Sequence, residues 1–255
     1  MEHSAEFGRP AFFLYPPGWM EQELLSKLIA REFQVYSHHN YASILRILKT
    51  FPHSILFLNI DGGPKPQEWQ RYLKGILGSV KSSGGSVLVL SSEIRRSLIE
   101  RYTTEMELSS GFISLRQSPS AIEKKIVQFL TALQAKGRRR YIRASCQHSE
   151  KASFNIKRAG NVYQGKIVDI SVAGMACYLE QGHLAELQMG ETIPDIQLRL
   201  NTKLASISGT VRGVREDTRR IYVIMFEDIS VSTREKIHEF IASSLQLNFH
   251  RQIGV

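Results

Sequence analysis

Ser54-Ile55-Leu56-Phe57-Leu58-Asn59-Ile60 (SILFLNI) is the stretch on which the fold turns, polar only at Ser54 and Asn59. A run this apolar does not alternate between faces, so it reads as a strand buried on both sides, of the kind that helices cover in a parallel sheet. The neighbouring sequence agrees on both sides. Towards the N-terminus, Ala11 to Tyr15 (AFFLY) is a short strand stopped by Pro16-Pro17-Gly18. Trp19 to Glu32 then spaces Leu24, Leu25, Leu28 and Ile29 as a helix does. Phe33 to Tyr36 gives a second strand and Tyr41 to Leu48 a second helix. Beyond Ile60 come a helix over Glu68 to Val80, a strand over Ser86 to Leu90, a helix over Glu93 to Tyr102, a strand over Phe112 to Leu115 and a helix over Ala121 to Leu133. Five such alternations predict an α/β doubly wound N-terminal domain with a parallel sheet.

The chain has 255 residues, enough for about two domains. The helical pattern ends at Ala135-Lys136-Gly137, and Gly is a usual helix stop. We therefore read 1–136 as one domain and 137–255 as a second, whose first residues, 137–144, form an arginine-rich linker. The second half has a different rhythm. Ala152 to Ile156, Asn161 to Asp169, Gly174 to Leu179, Ile196 to Leu200, Leu204 to Val214 and Arg220 to Phe226 are short runs separated by Gly, Asp and Asn. That spacing predicts an antiparallel β-barrel or sandwich. A closing helix over Arg234 to Leu245, capped by Ser232 or Thr233, carries the apolar stripe Ile237, Phe240, Ile241, Leu245.

Hydrophobic residues at 42% and charged ones at 22% exclude disorder, a collagen repeat and a disulfide mini-protein. Lys and Arg number 33 against 24 Asp and Glu, which favours an anionic partner. The surplus is evenly split, with 16 basic against 12 acidic residues in 1–136 and 17 against 12 in 137–255. Neither half has the broad lysine stripes of a non-specific DNA binder, so nucleic acid is not an expected partner. The basic charge is concentrated locally instead, with four arginines between Arg138 and Arg143. Cys146 and Cys177 sit in no metal-ligand spacing and read as buried free thiols. The longest apolar run, Ile221 to Phe226, is far shorter than the roughly 20 residues of a membrane span. Met1 to Pro10 holds two Glu and does not resemble a secretory signal, so the expected location is the cytoplasm. The histidines, His38 and His39 among them, show no spacing for a metal or a catalytic dyad.

In the order of its elements the first half resembles a response-regulator receiver domain, through SILFLNID (Ser54 to Asp61), VLVLSS (Val87 to Ser92) and FISLRQSPSAIEKKIVQFL (Phe112 to Leu130). The resemblance implies a phosphoryl-accepting Asp at the end of the third strand, here Asp61, with a magnesium ion held by acids after the first strand. Tyr15-Pro16-Pro17-Gly18 stands in their place, and Leu115-Arg116 stands where the family carries a lysine. Only Asp61 and Ser91 match. Without a carboxylate cluster for a hard cation, the expectation is a degenerate receiver that is not phosphorylated.

The second half resembles the PilZ domain, the bacterial receptor module for cyclic di-GMP. Two motifs carry the likeness: RxxxR, read as Arg139-Arg140-Tyr141-Ile142-Arg143, and [D/N]xSxxG, read as Asp169-Ile170-Ser171-Val172-Ala173-Gly174. The ending IYVIMFEDI (Ile221 to Ile229) followed by a helix is also family-like. The resemblance implies cyclic di-GMP contacts at Arg139, Arg143, Asp169, Ser171 and Gly174. Arg138 is the position that in this family accompanies binding of a stacked ligand pair.

The residue chemistry supports this independently. A guanidinium meets guanine O6 and N7 bidentately, stacks on the purine face and bonds phosphate. If the segment is extended, Arg139 and Arg143 lie on one side about 13 Å apart and clamp different parts of a large ligand. Asp169 can accept from guanine N1–H and the 2-amino group, Ser171 can reach a phosphate, and Gly174 allows a turn that excludes a Cβ. Arg140 is expected to face solvent. Arg212, Arg215, Arg219 and Arg220 are read as edging a hairpin. Taken singly, an arginine cluster after a helix or an Asp-x-Ser turn is often ordinary loop chemistry.

The expected function is a non-enzymatic cyclic di-GMP receptor, without cofactor or metal, whose ligand orders the linker, changes the interdomain arrangement and so signals to an unidentified downstream protein. The alternative is a phosphorylated response regulator with a nucleic-acid-binding or protein-binding output domain. An enzyme is disfavoured because no paired carboxylates, metal cluster or phosphate-cradling glycine loop is present.

Overall fold

The structure, a computed structural model, describes residues 8–93, 95, 100, 111–146, 151–158, 160–180, 186–216 and 219–254. The helix expected over Glu93 to Tyr102 lies largely outside the described residues. The chain divides into two compact units. One runs to Arg140 and takes in the residues from Asn248 onward, and the other is Tyr141–Leu247.

The first unit is built on five parallel strands: β1 (Ala11–Leu14), β2 (Val35–His38), β3 (Ile55–Asn59), β4 (Ser86–Ser91) and β5 (Phe112–Ser114). Their order is β2-β1-β3-β4-β5, one of the two common doubly wound orders. Every residue of β1, β2 and β3 is buried, as the apolar runs require. Phe13 of β1 stacks on Phe57 of β3 on one face, with ring centroids 4.4 Å apart. Phe12 stacks on Tyr36 of β2 on the other, at 4.9 Å.

Helices α1 (Leu25–Ala30), α2 (Ile44–Thr50), α3 (Pro66–Ser82) and α4 (Pro119–Ala132) cover these faces. A π-helical turn over Met20–Leu24 leads into α1, and a 3₁₀ turn over Tyr41–Ser43 leads into α2. The second strand begins at Val35, later than the sequence pattern placed it. Glu32, in the left-handed region at φ 64°, ends α1, and the Phe33 amide bonds back to Leu28 O. Ahead of β1, Arg9 donates to the carbonyls of His53, Gly84 and Leu133 and to Ser86 Oγ, joining the starts of β3 and β4 to the end of α4.

The second unit is an antiparallel barrel. Its strands are β6 (Ala144–Ser145), β7 (Ala152–Arg158), β8 (Asn161–Ser171), β9 (Gly174–Leu179), β10 (Thr192–Leu200), β11 (Lys203–Glu216) and β12 (Arg220–Glu227). The order β6-β8-β7-β10-β11-β12-β9, with β9 returning to β8, closes six strands into a ring and leaves β6 attached at the β8 edge. Alternate residues fill the interior, among them Phe154, Ile156, Ile167, Cys177, Leu198, Ile207, Tyr222 and Ile224.

Helix α5 (Val231–Ile253) follows and is longer than its sequence pattern indicated. The cap is Ser230, whose Oγ accepts from the Thr233 amide at 3.1 Å, rather than Ser232 or Thr233. The helix continues past Leu245 because Phe249 and Ile253, four and eight residues on, are both 1% exposed. Phe249 is part of the first unit and lies 5.1 Å from both Phe12 and Tyr36.

Candidate ligand-binding site

Asp169 owes its position to an irregularity. The β8–β9 register shifts between Ile167 and Asp169, so Val168 is an extra residue in β8. That bulge lets Ile167 and Ile170, three apart, both reach the core at 2% and 0% exposure, while Asp169 stays on the outer face. A similar shift occurs in β11 between Val211 and Gly213. The two bulges share one cross-strand rung, Asp169–Ala176–Val223–Gly213. The rung is small-sided, so the barrel presents a low platform here.

Arg143 stands beside that platform. Immediately after it, β6 pairs Ala144 with Ile170 and Ser145 with Asp169. The pairing brings Arg143 Nη1 to 3.2 Å from Asp169 Oδ1, with the two side chains 44% and 31% exposed. An ion pair this open is worth under about 1 kcal/mol, so another charged partner can replace either member cheaply.

Ser171 is 4% exposed, accepts from the Ala173 amide at 3.3 Å and donates to Gly174 O at 3.3 Å. In this state its hydroxyl shapes the turn, which is the ordinary loop chemistry of such a motif. Gly174 is required for a reason other than the turn geometry expected of it. Its φ is not positive, but a Cβ there would lie 2.3 Å from Ile224 O and 3.1 Å from Met225 Cα on β12. Asp169, Ser171, Gly174 and Arg143 therefore belong to one corner of the barrel.

Arg138, Arg139 and Arg140 are exposed and lie at the end of the first unit, just before the barrel unit begins at Tyr141. Residues 137–143 form bends rather than a strand, so the extended, one-sided arrangement considered for Arg139 and Arg143 is not the one found. Arg138 also borders a groove of about 620 Å³ in the first unit with Arg9, His53 and Lys136. A second groove, of about 700 Å³ on the barrel, is lined by Ser153, Asn155, Arg199 and Lys236. Asp169 and Arg143 line neither.

Both thiols near the site are free and buried. Burial, reinforced by the Asp169 charge, pushes Cys146 up to about 12 and Cys177 higher still. Among the described residues no group of His, Cys, Asp or Glu could hold a metal ion.

In the first unit, Asp61 accepts from Ser91 Oγ and from the Ser92 amide, each at 2.5 Å, and Arg116 Nε donates to Ser92 O at 2.6 Å. The carboxylate thus holds the end of β4. Tyr15, at φ 52°, occupies the position where the receiver resemblance implies acids, and its carbonyl accepts from Asn59 Nδ2 at 2.8 Å.

Two residues of this face were not found from sequence. Lys166 and Tyr178 are cross-strand partners two rungs from Asp169 and Ala176, with Ile167 and Cys177 between. Counting alternate residues back from Asp169 misses Lys166, because the bulge changes the parity.

A family model described as PilZ domain matches residues 137–243. No protein with a curated description matches the chain. Among solved structures it is similar to the PilZ domain with c-di-GMP of YcgR from Escherichia coli, at 19% identity over 46% of this chain and 98% of that one, with TM-score 0.39. It is also similar to the K. pneumonia MrkH–c-di-GMP complex, at 21% identity, 45% and 55% coverage and TM-score 0.39. A third is PlzA of Borreliella burgdorferi in complex with c-di-GMP, at 17% identity, 50% and 50% coverage and TM-score 0.28. The chain spans about half the length of the larger relatives it matches. The RxxxR and [D/N]xSxxG motifs and the strands of the closed six-stranded barrel fall within the matched residues, and residues 137–243 are a PilZ domain.

Proposed function

We propose that the chain is a receptor for cyclic di-GMP, and that the carrying observation is the open Arg143–Asp169 pair on the barrel platform. A guanine edge offers Asp169 the N1–H and 2-amino donors, while Arg143, released from the carboxylate, meets guanine O6 and N7 or a phosphate. The exchange replaces one exposed ion pair by several charge-assisted bonds. Arg138 and Arg139 supply further donors from the linker. Gly174 keeps the corner narrow, and Ser171 reaches a phosphate by giving up its bond to Gly174 O.

Four arginines within six residues repel one another, and a doubly negative ligand removes that repulsion. Ordering of the linker on the ligand changes the arrangement of the two units, by no more than the ligand's difference in affinity between the two states allows. The first unit acts as a receiver-like module that is not phosphorylated, a reading supported by its strand order and by the engagement of Asp61. The protein works in the cytoplasm without catalysis and passes the signal to a protein partner. Among the described residues, no helix is long and apolar enough to cross a membrane.

Isothermal titration with cyclic di-GMP tests the proposal. Wild type binds, and Arg139→Ala and Asp169→Ala each lose roughly tenfold or more, the range for charge-assisted bonds. Equal affinities in all three would sink the site. A solution-scattering profile unchanged by saturating ligand would defeat the change in arrangement alone.

A further inference from the structure

The outer face of the barrel does not end at Asp169. Tyr178 lies two residues along β9 from Ala176, about 7 Å at strand spacing, and pairs across the ladder with Lys166. The inward residues on either side of it, Cys177 and Leu179, are 0% and 6% exposed, so the tyrosine belongs to the same outer face as Asp169. Lys166 Nζ is 3.7 Å from Oε1 of Glu180, two residues beyond Tyr178.

Arg219, in the β11–β12 connection, places its guanidinium carbon 4.7 Å from the centre of the Tyr178 ring. The contrast with its neighbour is informative. Arg220 is ion-paired to Glu186 at 2.6 Å and to Glu216 at 3.4 Å, so its charge is used within the fold. Arg219 is exposed, and among the described residues no carboxylate or carbonyl holds it. An arginine resting on an aromatic ring keeps its outer face and its donor edges available to a planar, electron-rich partner. Such a shelf, two rungs from a carboxylate–guanidinium pair and on the same face, is suited to a purine ring.

We infer that Tyr178 and Arg219 form a second subsite on the barrel face that stacks a purine base of a cyclic dinucleotide, with Lys166 beside it to meet a phosphate. This rests on the cyclic di-GMP reading and extends it: one base is held by its edge at Asp169 and the other by its face at Arg219. Of the hairpin arginines, Arg220 then fastens the turn and Arg219 serves the ligand.

The test is calorimetric titration of the full chain with cyclic di-GMP. A parallel fluorescence titration uses an analogue carrying 2-aminopurine in place of one guanine, which is quenched on stacking. Arg219→Ala and Tyr178→Ala should weaken binding roughly tenfold or more and abolish the quenching, as loss of a base–side-chain stack does. Arg219→Lys keeps the charge without the plane and should behave like Arg219→Ala, whereas Tyr178→Phe should bind and quench as wild type. Wild-type affinity and quenching in Arg219→Ala, with Arg139→Ala still deficient, would overturn the subsite and leave the receptor reading intact. Absence of cyclic di-GMP binding by wild type would overturn both.

Discussion

Replacing Gly174 by alanine puts a methyl group where the β12 backbone already stands, 2.3 Å from Ile224 O and 3.1 Å from Met225 Cα. A carbonyl oxygen and a Cα do not rotate aside as a side-chain tip can, so the strands must part. The pairs at risk are Met225 with Gly174 and Ile224 with Met175. Losing one or two buried ladder bonds at about 1–1.5 kcal/mol each, together with overpacking of about 1–3 kcal/mol, gives a destabilisation of roughly 2–6 kcal/mol.

Gly213 on the next strand supplies the control. A Cβ there meets Val223 Cβ and Cγ2 at 3.4 and 3.5 Å, ordinary contacts, so Gly213→Ala should be neutral or slightly stabilising. Both tryptophans, Trp19 and Trp69, lie in the first unit, so their fluorescence would miss the event. Hydrogen exchange followed by mass spectrometry reports it directly. Peptides over 161–180 and 220–227 should lose protection in Gly174→Ala and keep it in Gly213→Ala. Unchanged protection and unchanged thermal stability in Gly174→Ala would refute the close approach, and with it the reason given for a glycine at this corner.

His38 is 5% exposed, its Nε2 has no hydrogen-bond partner among the described residues, and its ring stands edge-on to Phe249 at 5.5 Å. Burial, with His250 and His39 adding to it, holds its pKa below the ordinary value. The unfolded chain therefore binds the proton more readily, so stability of the first unit is full above about pH 6.5 and falls as the pH drops below that value. Chemical denaturation followed by tryptophan emission at pH 7 and pH 5 should show this loss, and His38→Phe should flatten it. Cys146 and Cys177 should resist alkylation at neutral pH in the folded chain and react promptly once it is unfolded. Mass spectrometry after iodoacetamide reads both states.

Patterns that repeat were legible in the sequence. The apolar runs around Phe13 and Phe57 announced a doubly covered sheet, and the short β-like run Gly174–Leu179 marked β9 to the residue. Places where one residue breaks a period were not. The extra Val168 shifts the parity of β8, and no propensity rule places it; only the partner strand reveals it. Glu32 displaces the start of β2 through a left-handed turn that a glutamate does not advertise. The need for Gly174 is likewise a matter of what lies opposite, since nothing within Ser171 to Gly174 refers to Ile224. The motif residues were found because chemistry constrains their type, whereas Tyr178 and Arg219 come together only through the ladder and the hairpin turn. The end of α5 escaped because its polar residues interrupt the stripe, and Phe249 is buried by the β1 and β2 rings rather than by the barrel its helix follows.

That last placement bears on how such a gene can be cut and rejoined. The chain passes from one unit to the other at Arg140/Tyr141 and back at Leu247/Asn248, so the barrel unit is a contiguous segment and the first unit is not. A fragment ending where the PilZ match ends, at residue 243, would strip Phe12, Tyr36 and Phe51 of their aromatic neighbour as surely as a deletion within the first half. Recombination that swaps the front module must carry the final turns of the chain along with it, which ties the ancestry of the two ends together.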